Sequence, residues 1–172
     1  MGALIDHLGE AQAEAWARSV RGNLAREPKG GDTDQLKSVA AGECDVTISN
    51  KYYYARLARS PKAEERAVAE KLGVVFPNQA SWGTHVNVSG AGVMKNAPHR
   101  DAAVRFLEYL ASDEAQRYFA DGNNEWPVVP SVQVVNPVLS AFGAFKYDPL
   151  NVAVLGRNQP SAQKLYDRVA WK

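Results

Sequence analysis

Cysteine is all but missing from these 172 residues, with Cys44 standing alone. One cysteine closes no internal disulfide, and it excludes Cys-rich zinc and iron–sulfur sites. Two readings of Cys44 stay open: a small buried hydrophobe, or a thiol whose partner belongs to a segment this chain lacks. An excess charge of one sign is missing as well, since 20 Lys and Arg meet 19 Asp and Glu. That balance leaves no basic footprint for a phosphate backbone, so no nucleic-acid partner is expected. No apolar run is long enough to span a membrane. The opening Met-Gly-Ala-Leu-Ile-Asp has no basic start, apolar stretch or small-residue cleavage site, so it does not read as a signal peptide. Nucleophile elbow, P-loop and Rossmann glycine patterns are also missing. No nucleophile–base–orienter set can be assembled, and the expectation is a binding protein rather than an enzyme.

What is present is a chain long enough for one domain or one and a half, with a sizeable core. Leu4, Leu8, Ala15, Trp16, Val20 and Leu24 recur at three- and four-residue steps and predict one helix ending near Arg26. Asp32 as N-cap with Gln35 three residues on predicts a second helix, closed by Gly42. The β-prone runs 45–50, 73–77 and 84–93 predict strands, the last bent at Gly90 and Gly92. Between and after them the pattern predicts helices over 61–72, from Pro98 to Ala111 and, capped by Ser112, on to Phe119. The proline-broken stretch 123–137 reads as extended. Short helices follow over 148–157 and 161–169. Helix–strand alternation of this kind predicts an α/β fold.

Three consecutive tyrosines, Tyr52, Tyr53 and Tyr54, follow the first predicted strand and open a helical run. Ligands of α/β sheets bind beyond the carboxyl ends of strands. A helix N-terminus adds free N–H groups and a positive dipole end, which suit an anion. A phenolate is a hard, charged oxygen donor that matches a hard trivalent cation. Free tyrosine ionises only near pH 10, but a bound cation stabilises the phenolate. Packing, with each hydroxyl finding a partner, explains adjacent tyrosines equally well. His7, His85 and His99 are too far apart in sequence for a helical metal motif. Asp32 and Asp34 read as capping residues, and Glu64 and Glu65 as a solvated face.

The segment from Gly30-Gly31-Asp32-Thr33-Asp34 through Glu43-Cys44-Asp45-Val46 to Asn50-Lys51-Tyr52-Tyr53-Tyr54 resembles the periplasmic ferric-iron-binding proteins, solute-binding components of ABC importers. So do Val88-Ser89-Gly90-Ala91-Gly92-Val93, Tyr109-Leu110-Ala111-Ser112-Asp113-Glu114 and Trp126-Pro127-Val128-Val129-Pro130. The resemblance runs in order along almost the whole chain, and family members are nearly twice as long. It implies a type II periplasmic-binding-protein-like α/β fold, truncated to the C-terminal lobe and part of the N-terminal lobe. Residues 1–83 would belong to the C-terminal lobe and carry the tyrosines. Residues 84–131 would supply a hinge strand and helices of the N-terminal lobe, and 132–172 would return. Tyr52 and Tyr53 would be the metal ligands, binding Fe(III) as phenolates, and Asn50 would lie near a synergistic anion such as carbonate or phosphate. Tyr54 falls at a merely aromatic position. The family's other ligands come from a region before this chain begins, and some relatives pair a cysteine at the Cys44 position with one upstream. An ABC-transporter permease would be the partner and the periplasm the location. Two other functions stay open: a same-fold binder of a small anionic solute, and a truncated remnant that self-associates.

Overall fold

In the computed structural model, which describes residues 1–171, the first helical run is broken in two at Gly9. There α1 (Gly2–Leu8) ends and α2 (Glu10–Gly22) begins, with Gly9 at φ 78°, a conformation costly for any residue with a Cβ. The expected single helix to Arg26 is therefore two helices ending at Gly22. The apolar stripe is also set differently. Ala13 and Ala17 are sealed from solvent, whereas Trp16 is 38% exposed.

The remaining elements are α3 (Asp32–Ala40), α4 (Lys51–Ala58), α5 (Ala63–Glu70), α6 (Arg100–Leu110), α7 (Asp113–Asn123), α8 (Pro137–Ala141) and α9 (Ala153–Arg168). The cap of α3 sits one residue earlier than the sequence suggests: the Gly31 N–H donates to the Asp34 carboxylate at 2.9 Å. Its end is as expected. Gly42 N–H bonds Val39 and Glu43 N–H bonds Ser38, which is a Schellman closure at Gly42. Ser112 caps α7, accepting the Ala115 N–H. The two expected C-terminal helices are one continuous helix, α9, with Pro160 inside it. The residue four before Pro160 is Gly156, beside which a Cβ would meet nothing, so the freed carbonyl has open space.

The expected sheet is not there. Among the described residues no strand forms, and 45–50, 73–77 and 84–93 are irregular apart from one parallel bridge between Thr84 and Tyr147. The physical reason is that a strand needs a partner for its main-chain groups, which local β-propensity cannot supply. Strand-prone side chains are instead left outside: Val46, Ile48 and Val75 are 81%, 74% and 84% exposed.

The chain divides into two compact units. The first comprises Met1–Pro28, Phe76–Val86 and the chain from Phe145 onwards. Its core is Ala13, Ala17, Leu165 and Val169, flanked by Met1, Leu4, Ile5 and Trp171. Here α9 packs along α1 and α2. Arg168 ties α9 to Glu10 at 2.7 Å and to Glu14 at 2.8 Å. The bridge at Thr84 closes this unit's middle segment. Gly83, at φ 100°, lets it pass Tyr147, whose carbonyl carbon would lie 2.7 Å from a Cβ there.

The second unit comprises Lys29–Val75 and Asn87–Ala144. Its core cluster is smaller: Leu36, Leu57 and Ala69, with Tyr53, Tyr54, Ala58, Val68 and Leu72 packed against it. Helices α3, α4 and α5 meet around that cluster, α8 lies on α4, and α6 touches α7.

Candidate metal centre

The tyrosines stand in the first turn of α4. Asn50 is the N-cap residue by position, with φ −70° and ψ 128°, but its side chain does not cap the helix. Instead its backbone N–H donates to the Asp32 carboxylate at 2.7 Å. Its side-chain oxygen accepts from Asn87 at 3.5 Å. Asp32 is the first residue of α3, so the N-terminal ends of α3 and α4 are tied together at this point. The backbone N–H groups of Lys51 and Tyr52, among the described residues, are taken by no other protein group. They are the orphan donors that every helix start presents.

Tyr52 and Tyr53 converge. Their ring centroids are 4.5 Å apart at 39°, and the two side chains share a hydrogen bond. Burial raises the Tyr52 phenol above its usual range, and the hydrogen bond to Tyr53 and the nearby charges of Asp32 and Glu125 push it the same way. With no cation present, Tyr52 is a neutral phenol. The Tyr53 ring rests on the Leu36–Leu57–Ala69 cluster, with the Arg56 guanidinium 5.1 Å from its centroid. Tyr54 is turned to α8, its ring 5.8 Å from that of Phe142.

Beside the pair stands a group that sequence reasoning passed over. The Lys51 ammonium lies 4.0 Å from the Trp126 ring centroid and donates to the Asn124 carbonyl. Desolvation lowers its pKa to about 8, against the opposing pull of Glu125. Asn124, in the left-handed conformation at the end of α7, accepts from Arg59 at 2.7 Å and from Asn136 at 2.8 Å. Asn136 also donates to Ala120 and caps α8 through its own carbonyl oxygen. Three asparagines and an arginine spread over 77 residues carry no spacing signal. Only Asn136-Pro137, an N-cap before a proline, was there to be read.

The histidines do not join the tyrosines. His7, in the first unit, hydrogen-bonds the buried Asp148 at 2.7 Å and stacks on Trp82 at 4.6 Å. His85 is exposed, and His99 precedes α6. Asp34 caps α3, as expected, whereas Asp32 holds Asn50. Glu65 pairs with Lys62 at 3.3 Å, and Glu64 lies exposed in the first turn of α5. Cys44 is a free thiol of intermediate exposure. Among the described residues no group of three His, Cys, Asp or Glu side chains could hold a metal ion. No helix there is long and apolar enough to cross a membrane.

Helices meeting at their N-termini, orphan N–H groups and converging side-chain oxygens make up a solute-capturing surface. The family comparison agrees: residues 4–145 match bacterial extracellular solute-binding proteins, and the chain belongs to that family. Within it, the chain is similar to iron-binding members. It is 55% identical to iron uptake protein A2 of a Synechocystis species over 95% of this chain and 48% of that protein. It is 31% identical to the major ferric iron-binding protein of Neisseria meningitidis serogroup B, over 76% of this chain and 38% of that one. Its structure matches that of Trichodesmium FutA (IdiA), solved in complex with iron and citrate ligands, with a TM-score of 0.92 and 53% identity. That match covers 99% of this chain and 54% of the other. The chain therefore has the fold of part of a ferric-binding protein and spans about half the length of the relatives it matches.

Proposed function

We propose that this chain carries the tyrosine half-site of a periplasmic Fe(III)-binding protein that delivers iron to an ABC importer. The observation that carries the reading is the convergence of the Tyr52 and Tyr53 side chains at the start of α4. Neighbouring helical residues ordinarily diverge by the helical turn. Here both present phenol oxygens to one point, next to two unclaimed backbone N–H groups.

Fe(III) is the cargo. Tyr52 and Tyr53 bind it as phenolates, each releasing its proton to solvent when the cation arrives. Two phenolates leave most of the coordination shell open. A synergistic anion such as carbonate or phosphate fills part of it, held by the N–H groups of Lys51 and Tyr52 at the positive end of α4, with Asn50 at its edge. In the relatives' length that this chain does not span lie the remaining ligands. The lobe assignment (1–83, 84–131, 132–172) belongs to the same proposal, with lobe closure over the metal as the capture step. The ABC-transporter permease receives the iron. No bond in the cargo is made or broken, so no residue is assigned a catalytic role.

The test is a visible-light titration of the chain with chelated Fe(III), repeated on Tyr52→Phe and Tyr53→Phe. The expected result is a broad phenolate-to-iron band that weakens in both variants. Affinity should fall by more than the ~10–100-fold that loss of a group behind a ligand costs. No band from a chain that circular dichroism shows to be folded would sink the half-site. Tight binding of a small phosphorylated or carboxylated solute without iron would favour the anionic-solute reading instead.

A further inference from the structure

We propose that the second unit is the docking face for a sheet-completing polypeptide, one homologous to the part of its relatives that this chain does not span. The inference stands apart from iron binding, because it rests on main-chain groups and aliphatic side chains rather than on the tyrosines.

Three runs of this unit have the composition of strands and the hydrogen bonding of none. Among the described residues, no main-chain N–H or C=O of 44–48, 73–75 or 87–93 bonds another main-chain group. Water satisfies such groups at a surface, but these runs are not built for water. Val46, Ile48, Val75 and Val88 are 81%, 74%, 84% and 49% exposed. β-branched aliphatics of this kind are among the residues most often shut inside a protein. Consecutive unpaired edges that are also apolar form a template for strand addition, which proteins otherwise blunt with charge or proline. Only Asp45 supplies a charge within these runs.

A second, independent feature points the same way. Helix α6 is amphipathic by sequence, yet none of its eleven residues is buried. Phe106 and Tyr109 are exposed, and α7 is the only helix it packs on among the described residues. An apolar stripe on a helix is stable when something covers it. Strands without partners and a helix without cover call for one occupant that brings both sheet and core.

The relatives identify its chemistry. Iron uptake protein A2 and Trichodesmium FutA each extend to about twice the matched length. A polypeptide from that unmatched portion would pair its strands with 44–48, 73–75 and 87–93 and cover α6. Run 44–48 leads directly into Asn50 and α4. Pairing it would hold the start of α4 against a rigid sheet edge.

The chain should be co-expressed with the tagged, unmatched portion of the Synechocystis protein. Mass would be read by light scattering and main-chain protection by hydrogen exchange. The expected result is a one-to-one complex in which amides of 44–48, 73–75 and 87–93 slow by at least about 100-fold. Val46→Asp with Ile48→Asp should lose capture at least about tenfold while helix content by circular dichroism is unchanged. If the two pieces do not co-purify, the same complement is joined to the chain through a flexible linker. Protection must then appear in the fused protein, and unprotected runs there overturn the proposal. Protection that is already complete in the dilute isolated chain overturns it too. Protection that grows with the concentration of the chain alone, at the mass of a dimer, assigns the face to a second copy and refutes the chosen occupant.

Discussion

In the first unit, α1, α2 and α9 enclose Ala13, Ala17 and Leu165 with no exposure at all, and Arg168 bridges the far side. In the second, the cluster beneath the tyrosines is Leu36, Leu57 and Ala69, all slightly exposed, and strand-prone valines lie open nearby. The first core is closed by helices of its own unit. The second is bounded partly by polar contacts: Asp32 to Asn50, Lys51 to Asn124, and Asn136 to both ends of its neighbourhood. The candidate site thus rests on the thinner core. A binding surface that must accept a charged cargo and a further segment of protein gains from keeping polar groups and unclaimed N–H donors there, at some expense in burial.

The largest expected effect tests the difference in burial. Leu165→Ala leaves a hole in a sealed core and should cost about 3–5 kcal/mol. Leu57→Ala, with looser surroundings that can collapse, should cost about 2–3 kcal/mol. Urea unfolding, with hydrogen exchange at α9 and α4 to localise each loss, measures both. Equal costs, or the reverse order, would break the comparison between the two cores.

The polar bounding of the second unit gives the next effect. Asn136→Ala removes two donors and the α8 cap in one step and should cost about 2–3 kcal/mol. Asn136→Asp keeps an acceptor for the Val138 and Leu139 N–H groups. It strips the donors from the Ala120 carbonyl and the Asn124 side chain, and it buries a charge. It should be at least as unstable as the alanine variant in the same urea titration. A harmless Asp substitution would mean that the network contributes only through the cap.

How far these features were legible in the sequence depends on how local their causes are. Ser112 and Gly42 acted on their own helix ends and were readable from a few residues. Gly9 was not, because the three- and four-residue periodicity runs through it unbroken. Asp32 was taken for a cap because capping is local, whereas its partner, Asn50, is 18 residues away. Strands failed for the same reason: Val46, Thr47 and Ile48 declare a preference for a pleated surface, but the partner must come from elsewhere. At the site, the tyrosine run was visible as composition. Its convergence was not, nor was the Lys51–Trp126 contact, which brings together residues 75 positions apart.

Lys51 provides the finest test of the contrast, because it asks whether the polar boundary is dry. Its amine is half-buried, and desolvation lowers its pKa from the ordinary 10.5 to about 8. Below pH 8 both folded and unfolded chains carry the proton, and the folded state bears the whole cost of holding a charge against Trp126. Between pH 8 and 10.5 the unfolded chain keeps a proton that the folded chain has lost. Stability attributable to this group therefore rises with pH across that window. Allowing for the screening of a partly exposed amine, the gain is about 1 kcal/mol. Lys51→Met has no such proton to lose. The stability difference between the parent chain and this variant should shift toward the parent by that amount from pH 7.5 to 10. Urea unfolding at intervals of half a pH unit would trace it. A difference that stays flat would mean that water reaches the ammonium freely and that the second unit is open beneath its tyrosines as well as beside them.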